Sequence, residues 1–395
     1  MAPSAGVAEI TRRRPRIAMV IDPFDHPFNG TVVSTRRFIG ALADDGFQLR
    51  LLTIGSEPAV PGCERVGFPR LYLPIVNRII EQMRAPLARP VRKRLETALA
   101  GCDLLHVQYP FLLGHAAIGV ARRLGIPVLC SFHVQPENIL HNIGLDRPRL
   151  RRMLYRTFIR AIYERADRVL APSPFAAELL REAGLKRPIS VISNGVPEAL
   201  LEQPRAAPRE GPLRILAVGR LAPEKGHGTL LEALGRCSHH HRLSVTLIGT
   251  GPRLRALREQ AAKLELHARI GPVDDDALRE QYASADLFVH CGAVELEGMS
   301  VLEAMATGNA VLVADAPGSA AARLVRDPAW RFPADDVDAL SERVDHWLAD
   351  PEARRTVGDA NRRQAAEHAH RRSVFRLVEL YRALTDQRAP RPCAA

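Results

Sequence analysis

Short apolar runs alternate with amphipathic stretches along almost the whole chain. Ile17-Ala-Met-Val-Ile21, Leu104-Leu-His-Val107, Leu213-Arg-Ile-Leu-Ala-Val218, Leu243-Ser-Val-Thr-Leu-Ile248 and Leu287-Phe-Val-His290 are the clearest runs. Runs this short read as buried strands, and the periodic stretches between them read as helices. In the first half the pattern predicts strands over 16–21, 47–54, 104–107, 127–132, 168–171 and 189–192, with helices over 31–43, 114–124 and 150–166. In the second half it predicts strands over 213–218, 243–248, 269–270, 287–290 and 310–314, then several helices from about 335 to 386. Such alternation predicts an α/β protein built on parallel sheets flanked by helices.

A chain of 395 residues suits two domains of roughly 150–200 residues rather than one core. Gln203-Pro-Arg-Ala-Ala-Pro-Arg-Glu-Gly-Pro212 is rich in proline and marks a linker over 198–212. The expected units are therefore 1–197 and 213–371, followed by a helix over 372–386 and a loose tail over 387–395. Val374, Leu377, Val378 and Tyr381 form one apolar stripe on that helix.

Composition narrows the class. No apolar run approaches the eighteen or so residues of a membrane helix. The basic start, Thr11-Arg-Arg-Arg-Pro-Arg16, leads into an apolar run too short for a signal peptide, and a cytoplasmic protein is expected. The six cysteines lack CxxC spacing, which suggests neither a zinc site nor a disulfide framework. Cys393-Ala-Ala is one residue short of a prenylation box.

The formal charge of +11 lies wholly in residues 1–200, which hold 28 Lys/Arg against 17 Asp/Glu. It is concentrated in 78–94 and 147–168. In the second stretch Leu150, Met153, Leu154, Thr157, Phe158, Ala161 and Ile162 recur at helical spacing, with Arg151, Arg152, Arg156 and Arg160 on other faces. Such a helix either lies on an anionic bilayer or turns a solvated arginine face outward from a core. Nucleic acid is not expected, because the basic stretches lack interleaved aromatics and only 5% of the chain is aromatic.

The densest chemistry lies in 285–315. A strand meets a polar loop carrying Glu295 and Gly298, a short helix follows from Met299-Ser300 through Glu303, and Gly308-Asn309 stops it before a second strand. Loops at the carboxyl ends of parallel strands are where α/β folds bind ligands. The helix start offers free amides to a phosphate, and a glutamate accepts hydrogen bonds from sugar hydroxyls. Phosphate with vicinal hydroxyls describes a nucleotide-sugar. Ser300-x-x-Glu303 is also a capping box, which would give Glu303 a purely local task. Glu297 reads as a solvated loop charge outside the site.

Arg220 and Lys225 follow the 213–218 strand on a Pro/Gly turn, as two cations for a diphosphate or as an ordinary salt-bridged surface turn. Gly30, in Asn29-Gly-Thr31, lets backbone approach a ligand or serves a plain turn. His106 and His133 end strands, and strand ends face the ligand crevice. Gly249-Thr-Gly251 lacks the third glycine of a dinucleotide fingerprint, so close approach of Gly249 to a nucleotide fits better than NAD. His133, Glu137 and His141 are spaced by four, but Pro136 interrupts the helix, and no metal is expected. His239-His-His241 reads as incidental exposure.

Glu295 and Glu303, with Gly298 between them and Ala304-Met-Ala306 after, resemble the retaining glycosyltransferases of the GT-B fold, family 4. Val218-Gly-Arg-Leu-Ala-Pro-Glu-Lys-Gly226 and Leu247-Ile-Gly-Thr-Gly-Pro252 are similar to two further motifs of that family, and the resemblance spans nearly the whole chain. It implies two Rossmann-like domains facing across a cleft, the first binding the acceptor and the second the nucleotide-sugar, with the last helix returning to the first domain. It further implies Glu303 on the ribose, Arg220 and Lys225 on the leaving diphosphate in place of a metal, and Glu295 and His133 at the sugar. Gly30, Gly249, Gly298, Met299 and Ser300 would shape the nucleotide site.

The expected donor is a UDP-sugar or GDP-sugar, with no separate cofactor. The expected acceptor is a lipid or glycan, met by a cytoplasmic enzyme peripheral at the inner membrane face. A same-fold synthase with a soluble sugar acceptor and a non-catalytic nucleotide-binding module are the alternatives. The chain departs from the family pattern in having Leu296 and Glu297 where glycine and an aromatic are usual, and one glycine, Gly30, where a pair is usual.

Overall fold

The computed structural model describes residues 14–25, 29–72, 86–206 and 211–386, and within them the apolar runs form two parallel sheets. The first has the order β3 (Cys63–Phe68), β2 (Gln48–Ile54), β1 (Arg16–Val20), β4 (Leu104–Val107), β5 (Val128–Ser131), β6 (Arg168–Ala171), β7 (Ile189–Val191). The second has the order β10 (Ala268–Gly271), β9 (Leu243–Ile248), β8 (Leu213–Val218), β11 (Leu287–His290), β13 (Val311–Asp315), β15 (Arg331–Pro333). A separate short pair joins β12 (Val294–Glu295) to β14 (Gly318–Ser319).

Every residue of β4, β5 and β11 is buried, as expected of parallel strands covered by helices on both faces. In each sheet the strand order reverses once, between β1 and β4 and between β8 and β11. The crevice outside the carboxyl ends of such a switch point is where open α/β sheets bind ligands. Arg220 follows β8 and Glu295 follows β11, so the second switch point gathers both.

The helix His370–Asp386 packs on the first sheet. Its Val374, Leu377, Val378, Tyr381 and Leu384 share one core with Ile17, Met19 and Leu42. The Tyr381 hydroxyl lies 2.7 Å from His106 Nδ1, and His106 Nε2 lies 2.7 Å from Ser131 Oγ. His106 is therefore a buried strut beneath this helix. The crossing is pinned by Val196 N to His368 O and His370 N to Val196 O, both 2.8 Å.

Several features differ from the sequence pattern. Strand β3 and the helix Arg92–Leu99 were not legible, since Cys63-Glu-Arg-Val-Gly-Phe68 is an edge strand with only its last two residues buried. The long helix expected over 150–166 is the helix Pro148–Ala161 followed by a 3-10 turn, Tyr163–Arg165, and Met153 on it is 59% exposed rather than in the core. The 198–212 segment begins with a helical turn, Glu198–Glu202. Residues 78–85 of the first basic stretch, 207–210 of the linker and the 387–395 tail lie outside the described residues.

Candidate active site

The turn after β8 is shaped by glycines that a side chain would block. Gly226 has φ 62°, and a Cβ there would lie 2.5 Å from the Cys291 carbonyl oxygen. A Cβ on Gly249 would lie 1.9 Å from the Gly219 carbonyl. Gly249 thus lets β9 nest under the Arg220 turn, and packing accounts for its absent side chain.

Because the β8 turn sits on the β11 loop, Lys225 Nζ reaches Glu295 Oε1 as an ion pair with both side chains more than four-fifths buried. Arg220 pairs with the buried Glu224 on the same turn. His290, the last residue of β11, places Nε2 at 3.4 Å from Glu295 Oε1. Burial pushes the Glu295 carboxyl up, but Lys225, His290 and Arg220 outweigh it and hold the group below the ordinary glutamate value. Burial pulls His290 down to about 4 and His227 to about 3, so both imidazoles are neutral at pH 7. Neither histidine stood out in the sequence; the available signal was that one ends a strand and the other follows Gly226.

The helix Met299–Ala306 begins behind Gly298, whose φ of 90° suits glycine. Its N-cap is Gly298 with no side-chain cap, so the Ser300–Glu303 capping box does not form. Glu303 instead accepts from Arg37 Nη2 at 3.0 Å and from the Tyr282 hydroxyl at 3.1 Å. Arg37 comes from the helix Gly30–Asp44 of the first sheet, so this ion pair crosses between the domains. At the start of that helix a Cβ on Gly30 would lie 3.9 Å from the Met299 sulfur. Asn29 Oδ1 accepts from Thr31 N at 3.0 Å and Val32 N at 3.4 Å, so two of the free amides of this helix are already capped.

His133 follows β5, with Nε2 3.1 Å from Gln108 Oε1, and burial pulls it down to about 4. Two residues on, Gln135 Nε2 donates to Gly318 O at 3.0 Å, in the strand paired with that of Glu295. The helix holding Glu137 and His141 starts at Pro136, so His133 lies outside it. Among the described residues no group of three His, Cys, Asp or Glu is arranged to hold a metal.

Glu297 is not the solvated charge that its place in a polar loop suggests. It is 5% exposed and sits against the first domain. Its carboxylate accepts from the Ser193 hydroxyl, the Asn194 side-chain amide and the Asn194 backbone N–H, the last at 3.0 Å. Burial pushes its pKa up to about 7 against these three donors.

Residues 28–200 match the family described as Glycosyltransferase Family 4, and residues 201–364 match Glycosyl transferases group 1. The chain is 30% identical over 315 residues to a GDP-mannose-dependent alpha-mannosyltransferase of Mycobacterium tuberculosis, covering 77% of this chain and 80% of that one. It is 29% identical over 317 residues to the alpha-monoglucosyldiacylglycerol synthase of Streptococcus pneumoniae, covering 75% and 70%. Its fold is that of sucrose-phosphate synthase from Thermosynechococcus elongatus, with a TM-score of 0.77 at 20% identity over 95% of this chain and 100% of that one. The chain belongs to glycosyltransferase family 4 and has the GT-B fold.

Proposed function

We propose that the protein transfers a hexose from a UDP-sugar or GDP-sugar to a lipid or glycan acceptor, with retention of anomeric configuration and without a divalent metal. The observation that carries this reading is the Lys225–Glu295 pair, with Arg220 beside it, at the carboxyl ends of β8 and β11. Two fixed cations at a switch point suit a diphosphate and can stabilise the charge that grows on it as the glycosidic bond breaks.

In this reading Glu303 holds the ribose hydroxyls, with Arg37 beside it. The amides at Met299 and Ser300, turned inward by Gly298, meet phosphate oxygens. Glu295 and His133 contact the sugar, and Gly30 leaves room where the two domains meet. The acceptor hydroxyl oxygen bonds to the anomeric carbon as the carbon–phosphate-oxygen bond breaks. The departing diphosphate takes the acceptor proton on the same face, so neither glutamate needs to be a nucleophile.

The acceptor side of the reading rests on the helix Pro148–Ala161. Its Tyr155, Phe158 and Ile159 are buried, while Arg149, Arg152, Met153, Arg156 and Arg160 face solvent. A basic face with an apolar residue at its centre suits an anionic bilayer, where a lipid-linked acceptor would be met. Similarity to a diacylglycerol glycolipid synthase supports the same class.

The test is to offer UDP- and GDP-hexoses with diacylglycerol-containing anionic vesicles, in EDTA, and to follow nucleoside diphosphate release and glycolipid formation. Turnover only with lipid supports the reading. Turnover with soluble sugars alone would favour a synthase, and nucleotide binding without turnover would favour a binding module.

A further inference from the structure

We propose that Glu297 is a positioning residue that seats the Glu295 loop on the first domain and so fixes the donor site relative to the acceptor side. This rests on the transfer reading above. Three consecutive residues face three ways. Glu295 meets Lys225, Leu296 packs against the core of the first sheet with its carbonyl accepting from Ser173 Oγ, and Glu297 binds Ser193 and Asn194.

Asn194 is a junction. Its Oδ1 accepts from Ser34 Oγ at 2.6 Å, its backbone carbonyl lies 3.1 Å from His370 Nδ1, and its backbone N–H and side-chain amide both donate to Glu297. Ser34 lies on the Gly30–Asp44 helix, between Gly30, which adjoins Met299, and Arg37, which pairs with Glu303. His370 opens the helix that returns to the first sheet. One carboxylate therefore ties the donor loop, through Asn194, to the helix Gly30–Asp44 and to the helix His370–Asp386.

Burying a carboxylate is unfavourable unless donors surround it, whereas an apolar side chain would fill the space without that cost. What the carboxylate adds is direction. Three donors on two adjacent residues fix its plane, and a displacement near 1 Å at a reacting centre costs on the order of a hundredfold in rate. Arg220, Lys225 and Glu303 all lie on the second domain, so nucleotide affinity should change far less than turnover when this seat is lost.

The experiment compares wild type, Glu297→Leu and Glu297→Gln by calorimetric titration with UDP and GDP and by steady-state transfer. Gln keeps the contacts, since Asn194 can turn its amide so that its oxygen meets the new Nε2 and its nitrogen meets Ser34 Oγ. Leu should lower kcat on the order of tenfold to a hundredfold while the nucleotide Kd stays within about threefold, and Gln should restore kcat to within about threefold of wild type. If Glu297→Leu does not fold, Ser193→Ala, which removes one donor, should lower kcat in the same direction with Kd unchanged. An unaltered kcat in Leu or Ser193→Ala overturns the proposal, as does a loss of nucleotide affinity in step with kcat. A wild-type protein that binds nucleotide yet transfers no sugar overturns the transfer reading itself, and this inference with it.

Discussion

Lys225 and Glu295 meet as a buried ion pair where the turn after β8 touches the loop after β11. Neither residue is near the other in sequence; the strand order brings them together, because β8 and β11 flank the switch point. The pair leaves one ammonium and one carboxylate side by side, suited to a diphosphate and a sugar hydroxyl. Removing such a preorganised charge costs on the order of a hundredfold to a thousandfold in kcat. Lys225→Ala should show a loss of that size in nucleotide-sugar turnover, and a variant within threefold of wild type would remove Lys225 from the mechanism.

Glu303 carries the second prediction. Its carboxylate already accepts from Arg37 and Tyr282, so it is oriented before any ligand arrives. A hydrogen bond to a charged group contributes about 1.5–3 kcal/mol, on the order of tenfold to a hundredfold in affinity. Glu303→Ala should weaken UDP or GDP by that much while leaving inorganic pyrophosphate unchanged, since pyrophosphate has no ribose. Equal weakening of both in parallel titrations would place Glu303 elsewhere.

Much of this was legible in the sequence, for a definable reason. β4, β6, β8, β9 and β11 lie at their expected limits, because buried parallel strands read as short continuous apolar runs. Arg220, Lys225, Glu295 and Glu303 stood out because polar residues interrupt those runs at strand and helix ends. Glu297 and Arg37 did not. A glutamate two places after Glu295 looks like any loop charge, and an arginine in mid-helix looks solvated, until the other domain supplies Asn194 and Glu303 as partners. Partners that lie 103 and 266 positions away leave no local trace. The capping box, the local alternative for Glu303, does not form, since Gly298 sets the helix start.

Stability should depend on pH through Glu297. Its folded-state pKa, pushed up by burial to about 7, lies above the ordinary glutamate value of 4.5, so the folded state holds a proton that the unfolded chain has released. The Glu297 contribution is thus fully present below about 4.5 and is lost as pH rises through 7. Relative to Glu297→Gln, wild type should gain stability as pH falls from 7 to 4.5, read as a growing difference in denaturant midpoint. A constant difference across that window would show that the carboxyl titrates normally.

The exposed arginines of the Pro148–Ala161 helix give a binding prediction. Each basic residue near an anionic surface contributes about 1 kcal/mol. Charge reversal at Arg152, Arg156 and Arg160 should abolish sedimentation with anionic vesicles at low salt, and raised salt should mimic it in wild type. Unchanged sedimentation of the triple variant would move the docking face elsewhere.

The central claim is that the cleft holds a nucleoside diphosphate by its own cations. Thermal unfolding in EDTA with UDP, GDP, ADP or NAD tests it most directly. A ligand at a hundred times its Kd stabilises by about 2.7 kcal/mol, a readable rise in Tm. The account predicts a rise with UDP or GDP and none with NAD. No rise with any nucleoside diphosphate, or a rise with NAD alone, would contradict it.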